Sequence, residues 1–162
     1  MTASRLENSR WNFESNCFVC EAGNERGMRI PFFHDDVADV VFAEYTLGEE
    51  FSGAPTYVHG GVTLAVLDEA MAWAAIALGG KFAVTHGFQA TFVYPVRVGR
   101  PYRVEARLTD RADELFRAEA AVLDAKSRPC VQASSSLVVL SAARAADAIG
   151  TEATGDDAGF VR

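Results

Sequence analysis

From Val62 to Leu78 almost every residue is apolar, and Asp68 and Glu69 are the only charges in the run. A helix that is apolar all round is a buried helix, so the remaining chain has to wrap it. Its entrance is marked by His59-Gly60-Gly61, and Gly79-Gly80 stands where a helix end favours a left-handed residue. The first N–H groups of a helix have no partner within it and lie at the positive end of its dipole, and glycine lets a ligand approach them closely. Such an end stabilises a developing oxyanion. A carboxylate on a buried helix is costly unless it is paired, protonated or used in chemistry, which singles out Asp68, nine residues after His59. Its neighbour Glu69 points about 100° away and reads as structural.

Asp68 falls on roughly the same helix face as Gly61 but roughly 10 Å further along the axis. A single chain does not easily bring the helix entrance and the acid to one reacting atom. A second copy related by a two-fold axis would supply one of the two, so at least a homodimer is expected.

The other segments read as strands. Arg29–His34 and Val40–Thr46 are joined by the turn formers Asp35-Asp36, and a loop rich in Gly, Ser and Pro runs from Leu47 to Tyr57. Phe82–Tyr94 is stopped by Pro95, Tyr102–Leu108 alternates apolar with charged, and Phe116–Leu123 and Val131–Leu140 flank the turn Lys126-Ser127-Arg128-Pro129. Connections this short favour antiparallel neighbours, so the expected class is α+β, an antiparallel sheet with one buried helix. At 162 residues, 49% of them hydrophobic, one domain suffices. It is expected over residues 17–141, after an N-terminal extension over 1–16 and before a mobile tail over 142–162. A net charge of −7 argues against a nucleic-acid partner. The first 20 residues lack a signal-peptide core, the apolar helix is short and holds two acids, and three cysteines are an odd number. These features predict a cytoplasmic protein with no membrane partner.

The string VHGGVTLAVLDEAMAWAA, followed by VTHGFQATFVYPVRVGRPYRVEARL, resembles the hotdog-fold acyl-CoA thioesterases of the phenylacetate-pathway and human thioesterase-superfamily type. The likeness covers roughly residues 17–140 and includes the opening CFVCEAGNERGMRIPF, similar to a Cys-x-x-Cys, Asn-x-x-Gly-Met start found in a bacterial subgroup. It implies a curved antiparallel sheet wrapped around the helix, an acyl-CoA substrate, no cofactor, and a homotetramer of paired dimers as the alternative to a homodimer. The acid at this spacing, Asp68, would be nucleophile or general base, the Gly60 N–H would hold the thioester oxygen, and Thr85 would assist the acid. His59 and Gly61 at the helix entrance would bind substrate, with His59 organising the turn. One departure is Gly53, where many relatives carry an Asn or Gln that holds substrate or water; His86-Gly87 in the following strand is another. Hotdog domains also serve as hydratases and dehydratases, and a non-catalytic module binding acyl-CoA or an aromatic ligand is a third reading.

Two further groups stand out. Tyr94, Arg97 and Arg100 follow the strand after the helix, where arginines can meet the phosphates of coenzyme A or simply face solvent. Cys17 and Cys20 would need His34 or Cys130 to approach a zinc site; one pair is an incomplete ligand set, so no metal is expected. Trp73, Met71 and Phe88 are candidates to line an apolar acyl pocket.

Overall fold

The computed structural model of the chain describes residues 3–11 and 13–154. Its strands are β1 (Ala3–Leu6), β2 (Phe32–Asp35), β3 (Val40–Thr46), β4 (Ser52–Ala54), β5 (Tyr57–Val58), β6 (Ala83–Phe92), β7 (Pro101–Arg111), β8 (Leu115–Leu123) and β9 (Pro129–Val139). Helix α1 spans Gly60–Ala77 and α2 spans Ala142–Ile149. Seven strands form one antiparallel sheet in the order β1-β2-β3-β7-β8-β9-β6, while β4 and β5 make a small separate hairpin. Helix α1 packs across β3, β6, β7, β8 and β9. This is the expected arrangement of one long helix held against an antiparallel sheet.

Alternation explains the packing. Tyr102, Val104 and Ala106 of β7 are buried, as are Phe116, Ala118, Ala120 and Val122 of β8 and Val131, Ala133 and Leu137 of β9. Val66, Leu67, Ala70 and Met71 of α1 are fully buried in the same core. By length and composition α1 is apolar enough to cross a membrane, and here its apolar residues are spent on the sheet instead. Leu64, Ala65, Asp68, Glu69, Ala72 and Ile76 remain only half-buried, so one stripe of the helix is not fully covered by its own chain. The helix ends with Gly80 at φ 64°, the left-handed residue expected there.

The structure refines several boundaries. The first core strand starts at Phe32 rather than Arg29, because Arg29 takes φ 54° and Pro31 has no N–H to donate. Asp35 Oδ1 accepts from the N–H groups of Val37 and Ala38, both at 3.0 Å, the turn chemistry read from the Asp pair. The loop 47–57 contains a 3-10 turn at Glu49–Phe51 and the β4–β5 hairpin. In the segment set apart as an extension, Ala3–Leu6 pairs with β2, and Trp11, only 4% exposed, packs against Trp73 at 5.8 Å between ring centroids. The segment read as a tail opens with α2, whose cap is Ser141 accepting from Arg144 N and whose end is Gly150 at φ 75°. A Ser cap, an Ala-rich run and a terminal Gly were the available signal for that helix. Residues 155–162, the end of the expected tail, lie outside the described residues.

Candidate active site

The entrance of α1 is built by His59. Its backbone N–H donates to Phe51 O at 2.9 Å, its carbonyl accepts from Thr63 N at 3.1 Å, and its Nδ1 accepts from Gly61 N at 2.9 Å. The imidazole therefore caps the helix and organises the turn. That bond commits the Gly61 N–H within the chain. Gly60 is left with an exposed N–H that has no acceptor among the described residues, and the ring of Phe92 lies beside it. Gly53 sits directly against the cap, since a Cβ there would lie 3.0 Å from His59 Cα and 3.1 Å from His59 Cδ2. Any side chain at this position would require the cap to give by a few tenths of an ångström.

Two turns down the helix, half-buried Asp68 meets the next strand. Thr85 Oγ1 donates to Asp68 Oδ1 at 2.5 Å. The structure thus joins the two residues that the sequence separates by seventeen positions. They meet at a register shift in the β6–β9 pairing, where Thr85 faces Leu137 and Gly87 faces Ser136, leaving His86 as the extra residue of a β-bulge. A bulge re-aims the side chains around it. His86 itself is exposed.

Tyr94, Arg97 and Arg100 do come together. They line a surface pocket of about 550 Å³ with Lys126 and Arg128, two cations from the β8–β9 turn that sequence reasoning did not connect to them. Arg128 stacks on Tyr94 with its guanidinium carbon 4.2 Å from the ring centroid and pairs with Asp124 at 2.9 Å, while Arg97 lies over Tyr57 at 5.2 Å. The proposed acyl lining fares differently. Met71 is fully buried in the core and Trp73 is 3% exposed, so neither is a free wall beside Asp68; Phe88 is partly buried against the same core.

The cysteine pair finds a partner other than the two expected. Among the described residues, Cys17, Cys20 and Glu69 bring their sulfur and carboxylate atoms within 4.8 Å of one another, while His34 on β2 and Cys130 on β9 stay outside the group. A hydrogen bond from the Cys20 thiol holds Cys17 down to about 5, and the same interaction raises Cys20. Burial, reinforced by charge on Cys17, pushes the Glu69 carboxyl up to about 7.

Residues 56–131, which hold His59, Gly60, Asp68 and Thr85, match the profile of the thioesterase superfamily. Similar solved structures include a thioesterase superfamily protein (TM-score 0.66, 23% identity, 71% of this chain and 56% of that one). Two others are PaaI of the Escherichia coli phenylacetic acid degradation operon (0.59, 15%, 63% and 73%) and smu.793 of Streptococcus mutans bound to acetyl CoA (0.60, 15%, 63% and 82%). The chain spans just over half the length of the first of these. No curated protein matches it in sequence. Residues 56–131 thus resemble the thioesterase superfamily, and the chain has the hotdog fold.

Proposed function

We propose that the protein is an acyl-CoA thioesterase, which hydrolyses a thioester to a free acid and coenzyme A. The observation that carries this reading is the Thr85–Asp68 hydrogen bond, which fixes one carboxylate oxygen of a half-buried acid and leaves the other for chemistry. Asp68 acts in one of two ways. As nucleophile it adds to the thioester carbonyl carbon, the C–S bond breaks as coenzyme A leaves as thiolate, and water cleaves the resulting anhydride. As general base it takes a proton from a water that adds to the same carbon, and the tetrahedral adduct then breaks its C–S bond and releases coenzyme A, which takes that proton. In both routes the carbonyl oxygen gains charge, and the free N–H of Gly60 is the donor for it.

Gly60 and Asp68 are about 12 Å apart along one helix, so the donor belongs to a second copy of the chain. Two features of the fold support such a homodimer. The stripe of α1 around Asp68 is half-covered, and β6 is an edge strand presenting Val84 (43% exposed) and Phe92 (47%), with Val93 (49%) just beyond its end. The pocket of Arg97, Arg100 and Lys126 suits the phosphates of coenzyme A, and a bound acetyl CoA in the Streptococcus mutans relative supports this class of ligand. Three free thiols suit work in the reducing cytoplasm. His59 is occupied as a cap, which favours hydrolysis over a hydratase that needs an imidazole to move protons on the acyl chain. The deciding assay follows thiol release over a panel of acyl-CoA esters. Release with several acyl groups supports the assignment, whereas loss of enoyl-CoA absorbance without thiol, or retention of ligand without turnover, overturns it.

A further inference from the structure

We propose that Cys17, Cys20 and Glu69 form a binding site for one thiophilic divalent cation of the zinc type, which staples the N-terminal loop to the helix that carries Asp68. The proposal is independent of the thioesterase reading. Its basis is the meeting of three ligand groups from two distant parts of the chain. Cys17 and Cys20 lie on a loop that folds back on itself through Met28 N to Phe18 O (2.6 Å) and Ile30 N to Val19 O (2.9 Å), and Glu69 comes from the middle of α1. Their ligand atoms all lie within 4.8 Å of one another. Tetrahedral zinc, with bonds to sulfur of about 2.3 Å, sets its ligands roughly 3.8 Å apart, so small side-chain rotations close the set.

The chemistry of the donors fits. Two thiolates select thiophilic metals over magnesium or calcium, and one carboxylate completes three protein ligands with a fourth position for water. Glu69 has no cationic partner among the described residues, so a cation would supply the charge that its half-buried carboxylate lacks. Val19 N–H donates to Cys17 Sγ at 3.4 Å, a bond that orients the sulfur. Trp73, one turn beyond Glu69, supplies a separate observation. It lines two hollows, one of about 140 Å³ with Cys20 and one of about 370 Å³ with Cys17 and Glu69, and its buried indole N–H has no acceptor.

Cobalt(II) is the probe, because its bonds to thiolate absorb light and those to other ligands do so far less. Titrated into reduced, chelator-treated wild-type protein, it should give intense near-ultraviolet sulfur-to-cobalt absorption and visible bands of tetrahedral geometry, saturating at one equivalent and removed by zinc. Cys17→Ser and Cys20→Ser should each remove about half of the near-ultraviolet band, and Glu69→Gln should weaken binding at least about tenfold. In the wild-type chain, which avoids any folding defect of the variants, one equivalent of zinc should protect both Cys17 and Cys20 from alkylation, as read by peptide mass. Absence of thiolate-to-cobalt absorption, protection of one cysteine alone, or a folded Glu69→Gln variant with unchanged affinity overturns the site.

Discussion

Asp68 and Glu69 stand side by side on α1, yet the fold gives them different partners, Thr85 for one and the two thiols for the other. Asp68→Asn keeps the volume of the side chain and removes its charge. We expect kcat for thiol release to fall at least about a hundredfold, the lower end of what a positioned acid or base contributes, with the fold intact by circular dichroism. Glu69→Gln should cost far less. Loss of activity in Glu69→Gln alone, with Asp68→Asn active, would move the chemistry to Glu69. Thr85→Ala removes a hydroxyl donor to a carboxylate, an interaction of about 1.5–3 kcal/mol, so kcat should drop roughly ten- to a hundredfold. Thr85→Ser, which keeps the donor, should recover most of that loss. If both variants match the wild type, the bond at 2.5 Å is structural only.

At the scale of elements, α1 carries both much of the core and the candidate site residue Asp68. Leu67 is fully buried one residue before Asp68, and Leu67→Ala should cost about 2–5 kcal/mol of stability by urea unfolding, through lost burial and the cavity left behind. A cost near zero would mean that the helix is held by its neighbours rather than by this packing. The helix was legible in the sequence because an apolar run bounded by a capping His and two glycines has few other readings. Strands β7 and β8 were legible for a similar reason, since alternation with period two is local. The bulge at His86 was not. It depends on how β6 is spaced against β9, and no residue within β6 announces that spacing.

For the whole molecule, the proposed site requires an oligomer, because Gly60 and Asp68 lie too far apart along one helix to meet at one atom. Sedimentation at assay concentration should show at least a homodimer, with activity falling as dilution separates the copies. A fully active monomer would sink both the shared site and the role given to the edge strand β6. Charge introduced on that edge, as in Phe92→Lys, should weaken association and activity together, because Phe92 is both exposed on the edge and adjacent to Gly60.

What the chain's order of residues decided was whatever depends on near neighbours: a buried helix, its cap, strands of period two, and an acid placed nine residues after a His. The pairing of Thr85 with Asp68 was anticipated only through family likeness. Folding alone decided the contacts between distant segments: Lys126 and Arg128 beside Arg97, the strand Ala3–Leu6 on the sheet edge, and Glu69 between Cys17 and Cys20. The physical reason is common to all three. Periodicity and capping act over a few residues and leave a mark in the sequence, whereas a contact across roughly thirty to fifty positions is set by how the sheet curves over the helix, which no single segment encodes.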